Sequence, residues 1–175
     1  RRRAKDLHGI LNGADYEEWD PERDPHIKKK YTKKNIGGKQ ACREEIIKLY
    51  SLQADEKTPI LCMVSRFSQQ KGLDLLMEGM DRIMSSGVVF IMLGTGDAGY
   101  QNFFANLSGR YKGRFVCKIG FDEPTAHRII AGSDMLLIPS QYEPCGLTQI
   151  YGLKYGTIPV ARAVGGVPET IKEFN

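Results

Sequence analysis

Pro139-Ser-Gln-Tyr-Glu-Pro-Cys-Gly-Leu-Thr148 decides how this chain is read, because an apolar run ends there and a helical pattern begins. Asp134-Met-Leu-Leu-Ile138 before it has the length and composition of a short strand, and Thr148 to Tyr155 after it reads as a helix. The intervening loop is therefore expected at the carboxyl edge of a strand, where open α/β sheets bind ligands. Gly146 lets the backbone approach a bound group, and the free N–H groups of a helix starting near Leu147 create positive potential suited to phosphate. Glu143 lies in the same loop. One segment offers an anion site and a carboxylate together.

Outward from this loop, strand and helix patterns alternate. Upstream, Gly38 to Leu52 carries apolar residues at helical spacing, and Ile60-Leu-Cys-Met-Val64 is a continuous apolar run, as expected of a strand buried on both faces of a parallel sheet. Lys71 to Met84 reads as a helix, Val88 to Leu93 as a strand, Asp97 to about Leu107 as a helix, Arg114 to Ile119 as a strand and Glu123 to Ala131 as a helix. Downstream, Thr157 to Val160 reads as a further strand, and Pro168-Glu-Thr-Ile171 begins another helix. Alternation at this spacing predicts a Rossmann-like, doubly wound parallel α/β sheet with right-handed crossovers. Residues 1–37 show little periodicity and carry turn signals at Asn12-Gly13, Asp20-Pro21 and Asp24-Pro25, which predicts an irregular lead-in before a domain over 38–175.

Composition narrows the function classes. The 175 residues, 41% of them hydrophobic, suffice for one sizeable core. No apolar run approaches the roughly 18 residues of a membrane helix, so a soluble chain without a membrane role is expected. The net charge of +4 comes largely from Arg1 to Arg3, Lys28 to Lys30, Lys33 and Lys34. Without interleaved aromatic residues in a binding motif, these runs read as solvated surface rather than a nucleic-acid site. Cys42, Cys62, Cys117 and Cys145 have neither zinc-site nor disulfide-framework spacing, which fits reduced thiols of a cytoplasm or plastid stroma. His8, His26 and His127 are scattered, and no metal site is expected.

Two stretches carry a family resemblance. Glu143-Pro-Cys-Gly-Leu-Thr-Gln149, with Ser65-Arg-Phe-Ser-Gln-Gln-Lys-Gly-Leu-Asp74 upstream, resembles the bacterial glycogen synthases and plant starch synthases. The likeness extends from His8-Gly-Ile-Leu-Asn-Gly13 to Gly165-Gly-Val-Pro-Glu169. It implies the carboxyl-terminal, nucleotide-sugar-binding half of a GT-B glycosyltransferase, with the lead-in beside the interdomain hinge and an amino-terminal domain of the same enzyme as partner. The implied reaction moves glucose from ADP-glucose to the non-reducing end of an α-1,4-glucan with retention. No cofactor is implied beyond the substrate, ADP being the product, and this part alone is expected to be inactive.

Such a transfer must stabilise a diphosphate leaving group while positive charge grows on the anomeric carbon, and fixed cations with backbone donors supply most of that stabilisation. Arg66 directly follows the first core strand and Lys71 opens the next helix, so both can reach a cleft above the sheet. By resemblance they hold the diphosphate; the alternative is surface pairing with carboxylates such as Asp74. Glu143 is implied to lie beside the donor glucose as an electrostatic and positioning group, or as a nucleophile, with capping of the Leu147 helix as its structural alternative. Gly146, Leu147 and Thr148 would supply amides, and the Thr148 hydroxyl, to the phosphates. Cys145 lacks an evident His partner and reads as packing and lining. Gly94-Thr-Gly96 resembles the family's nucleotide-pocket turn, and Gly120-Phe-Asp122 and Tyr142 are candidates for the base site. A second Glu, placed eight positions after the first in many related enzymes, is here Tyr151, which leaves the ribose contact open. Rival readings are a UDP-glucose-dependent enzyme of sucrose or trehalose-phosphate synthase type, and a non-catalytic glucan- or partner-binding module.

Overall fold

Ile60–Val64 forms β1, the central strand, and its unbroken apolar run follows from what lies on either side of it. Ile60 and Cys62 face one hydrophobic layer while Leu61 and Met63 face the other, so no position is left for a polar residue. The computed structural model describes residues 3–10 and 12–173; Arg1, Arg2, Leu11, Phe174 and Asn175 lie outside them, and with them part of the arginine run and of the His8–Gly13 motif. β2 (Val89–Gly94), β3 (Phe115–Ile119), β4 (Met135–Ile138) and β5 (Ile158–Ala161) complete a sheet of order β3-β2-β1-β4-β5, parallel throughout. The chain steps outward from β1 to β3, then returns to lay β4 on the opposite side of β1. The carboxyl ends of β1 and β4 therefore flank a topological switch point.

The helices divide between the faces as this winding requires. α2 (Leu73–Ser85) and α3 (Ala98–Arg110) cover the face of Leu61, Met63, Phe90 and Met92, with Leu73, Leu76, Met80, Met84 and Phe104 buried between. Each such side chain contributes roughly 1.5–3 kcal/mol of burial. α1 (Gly37–Leu49) and α4 (Glu123–Gly132) cover the face of Ile60, Cys62, Val89 and Ile91, and Tyr151 and Tyr155 of the α5 region (Thr148–Lys154) join them. Outward connections on one face and return connections on the other preserve a single crossover hand.

Boundaries moved where local backbone geometry outran the hydrophobic pattern. α1 stops at Leu49 rather than Leu52, because Ser51 takes the left-handed conformation (φ 51°) and the Leu52 and Ser51 amides turn back to the Ile47 and Lys48 carbonyls. That paired closure is normally signalled by glycine, so a serine there hid it. Lys71 ends a 3-10 turn, Gln69–Lys71, and left-handed Gly72 separates it from α2. α6 (Val167–Thr170) is a single turn.

The lead-in has little regular structure, a short 3-10 turn (Ala4–Asp6) and an isolated Thr32 to Asn35 bridge, yet it is packed into the core. Trp19, Ile27 and Tyr31 are buried against α4 and α5. Trp19 stacks on His127 (3.7 Å between centroids, 20° between planes) and on Tyr151 (4.2 Å, 6°). Asp24, fully buried, contacts His127 Nδ1 at 2.7 Å and accepts from the Tyr155 hydroxyl at 2.6 Å. Burial pushes the Asp24 carboxyl up, but hydrogen bonds from His127, Tyr155 and the His26 amide outweigh it and hold the pKa below its ordinary value. No helix of the described residues is long and apolar enough to cross a membrane.

Candidate functional site

Two loops meet above the switch point, and a glycine sets how closely. Gly72 has φ 73°, a left-handed conformation that side chains disfavour, and a Cβ there would collide with the Pro139 carbonyl. With hydrogen instead of a side chain, the loop after β1 lies against the loop after β4. Gln141 N–H donates to the Gln70 carbonyl (2.9 Å), and Gln70 Nε2 donates to the Tyr142 carbonyl (3.1 Å). This contact brings Lys71 Nζ to 2.6 Å from Glu143 Oε2. Ser140 Oγ donates to the same oxygen at 3.0 Å.

Both partners are largely enclosed, with side-chain exposures of 17% for Lys71 and 11% for Glu143. Glu143 does not cap α5; that helix has no side-chain cap. Asp74, the alternative partner for Lys71, accepts instead from the Tyr100 hydroxyl at 2.6 Å. From the other side Gly165 and Gly166 close on the Glu143 backbone: a Cβ on Gly165 would strike the Glu143 carbonyl, and the Gly166 amide donates to it at 3.0 Å. Gly146 takes φ 66° at the turn into α5, whose first amides have no acceptor within the helix.

Arg66, Lys71, Gly94 and Thr148 line one cleft of about 660 Å³, and Lys71, Glu143, Gly146 and Thr148 line a small cavity of about 20 Å³. Lys71 and Thr148 border both. The remaining sequence candidates fall elsewhere. Tyr142 is 58% exposed and, like Cys145 and Leu147, lines neither space. Gly96 lines neither as well, because its role is contact between loops: Cβ atoms on Gly94 and Gly96 would collide with the Ser65 and Phe67 carbonyls, where Phe67 N–H donates to Thr95 O (2.8 Å) and Asp97 N–H to Phe67 O (2.8 Å). The Gly-Thr-Gly turn thus buttresses the segment that carries Arg66.

Most of the remaining cleft lining lies outside the sequence motifs. Glu18 and Trp19 from the lead-in, Phe121 just before α4, Glu123 at its start and Tyr151 from α5 line the cleft together with the apolar Val64, Leu93, Ala126 and Ile130. Phe121 belongs to the Gly120-Phe-Asp122 stretch expected at the base site; for the others, only the lone Trp19 and the substitution of Tyr151 for Glu gave any signal in the sequence. Burial raises the Tyr151 hydroxyl pKa, and the nearby Asp15, Glu18 and Glu123 carboxylates raise it further. The cleft is therefore polarised, with cations at the switch point and carboxylates around Tyr151. Among the described residues, no group of three or more His, Cys, Asp or Glu is arranged to hold a metal ion.

The family model described as Glycosyl transferases group 1 matches residues 45–175. The glycogen synthase of Anaeromyxobacter dehalogenans is 44% identical over 175 residues, which cover 100% of this chain and 37% of that protein. The glycogen synthase of Leptothrix cholodnii is 45% identical over 173 residues, covering 99% of this chain and 36% of that one. The catalytic domain of starch synthase IV from Arabidopsis thaliana, solved bound to ADP and acarbose, matches with a TM-score of 0.93 and 32% identity, covering 99% of this chain and 36% of that chain. The chain spans little more than a third of the length of these relatives. With a parallel sheet wound in the same way and a matched segment that contains the whole Lys71 and Glu143 junction, the chain belongs to the group 1 glycosyl transferases.

Proposed function

We propose that this chain is the donor-nucleotide-binding domain of a glycogen or starch synthase, which transfers glucose from ADP-glucose to the non-reducing end of an α-1,4-glucan with retention. The observation that carries the reading is the junction of Lys71 and Glu143 at the switch point, between Arg66 and the glycine turn into α5. An ammonium has three N–H donors. One of those of Lys71 engages Glu143, leaving two for diphosphate oxygens, and the Arg66 guanidinium offers a planar fork beside them. The Gly146 and Thr148 amides complete an anion site whose donors are fixed before the ligand arrives.

Glu143 acts here as an electrostatic and positioning group. Its two hydrogen bonds fall on Oε2, so Oε1 remains for a hexose hydroxyl. As the diphosphate departs, the carboxylate offsets charge on the anomeric carbon while the Lys71 ammonium offsets charge on the leaving oxygen. At the opposite pole, Phe121, 75% exposed, offers a ring face to the base, and Glu18 and Glu123 accept from ribose hydroxyls in the place left by Tyr151. The glucan would lie between this domain and an amino-terminal domain, whose closure excludes water. Four free cysteines suit the reducing interior of a cytoplasm or plastid stroma.

Calorimetric titration of the chain with ADP and with UDP tests the reading. ADP should bind at least tenfold more tightly, and tighter UDP binding would reassign the donor. Absence of binding by either would remove the nucleotide role.

A further inference from the structure

Gln149 is fully buried although it is polar and lies in the first turn of α5. Its Nε2 donates to the Cys145 carbonyl at 3.0 Å and to Thr170 Oγ1 at 3.2 Å, while its Oε1 has no protein partner. Thr170 Oγ1 in turn donates to the Val167 carbonyl at 3.0 Å, so the carboxamide ties the loop before α5 to α6. Gly146 lies against the plane of that carboxamide: a Cβ there would fall 2.6 Å from Nε2 and 2.8 Å from Cδ. Gln149 and Gly146 also border, with Lys71, Glu143 and Thr148, the small cavity beside the cleft.

These contacts serve the turn more than the core. Burying an amide costs free energy unless its hydrogen bonds are made, and a Leu or Met of similar size would fill the same space at no such cost. What the carboxamide adds is direction. By holding the Cys145 carbonyl beneath the turn it fixes the peptide planes of Cys145 and Gly146, and hence where the following amides point. Gly146 must be glycine both for its positive φ and because the carboxamide occupies the place of a side chain.

We infer that Gln149 is a positioning residue for the diphosphate: its carboxamide locks the Gly146 turn so that the amides entering α5 face the anion. This rests on the donor-binding reading given above. The consequence is selective by ligand part. Loss of the carboxamide weakens binding of the phosphates and leaves the nucleoside end of the cleft, formed by Phe121, Tyr151 and Glu18, unaffected.

The test compares ADP and adenosine binding to the wild-type chain and to Gln149→Met, by calorimetry, with thermal unfolding alongside. The expected result is a tenfold or greater loss of ADP affinity in Q149M, adenosine affinity within twofold of wild type, and a Tm within a few degrees. Unchanged ADP affinity, or an equal loss for both ligands, would overturn the inference. If Q149M does not fold, Gln149→Leu, neutral and of similar size but without the carboxamide, enters the same comparison with the same two outcomes. Wild-type failure to bind ADP would count against the donor-binding reading; wild-type binding matched by the variant counts against the role of Gln149 alone.

Discussion

Lys71 Nζ and Glu143 Oε2 are 2.6 Å apart across 72 positions of sequence, and both belong to loops that leave the carboxyl ends of adjacent strands. A buried pair of this kind is costly to break, because removing one partner leaves the other charge desolvated and alone. Here the pair also places a cation where the diphosphate is proposed to lie. Lys71→Ala in a complete synthase is expected to lower kcat by about 10²–10³-fold, the loss typical of removing one fixed donor to developing negative charge. Steady-state kinetics with ADP-glucose measure it, with circular dichroism confirming the fold, and turnover within threefold of wild type would remove Lys71 from the chemistry.

Gly72 is the hinge of that geometry. Its positive φ and its contact with the Pro139 carbonyl leave no room for a methyl group. Gly72→Ala should destabilise the chain by roughly 1–3 kcal/mol through backbone strain and forced separation of the loops. Urea unfolding gives the stability, and ADP titration of the same protein should show weaker binding. A variant as stable as wild type would mean that the loops separate freely.

Trp19 is the single tryptophan of the chain and lines the cleft while stacked on Tyr151. Its fluorescence should therefore report nucleotide binding directly. Titration with ADP is expected to give a saturable change in emission, absent for glucose alone. A flat signal during calorimetrically verified binding would place the nucleotide away from the lead-in wall.

Asp24 links the lead-in to α4 and α5, and its pKa is depressed below the ordinary 3.8. A carboxylate of this kind contributes stability in full above its unfolded pKa and loses it as pH falls through the folded value. The Tm difference between wild type and Asp24→Asn should therefore be widest near pH 6 and shrink below about pH 4. A difference constant from pH 6 to pH 3 would show that Asp24 contributes through packing alone.

Strands announced themselves in the sequence because burial on both faces demands unbroken apolar runs; Ile60–Val64 has the same limits in both readings. Helix ends were less legible. Ser51 closes α1 in a conformation normally assigned to glycine, and Gly72 interrupts a pattern that looked continuous from Lys71. In the site, Arg66, Lys71, Glu143, Gly146 and Thr148 could be picked out by motif because each lies where a strand gives way to a helix. The wall formed by Glu18, Trp19 and Tyr151 could not, since it depends on how an aperiodic segment folds back on the sheet. Gln149 was hidden differently: it is polar within a motif, and only its full burial reveals that it supports the turn rather than facing solvent.

The most direct test of the account is hydrogen exchange of the chain with and without saturating ADP. Convergence of Arg66, Lys71 and the glycine turn on one diphosphate predicts slower exchange at the amides of Gly146, Leu147 and Thr148, and none at the distant Lys29 to Asn35 segment. Protection confined to any other face, with those three amides exchanging at their free rate, would contradict it.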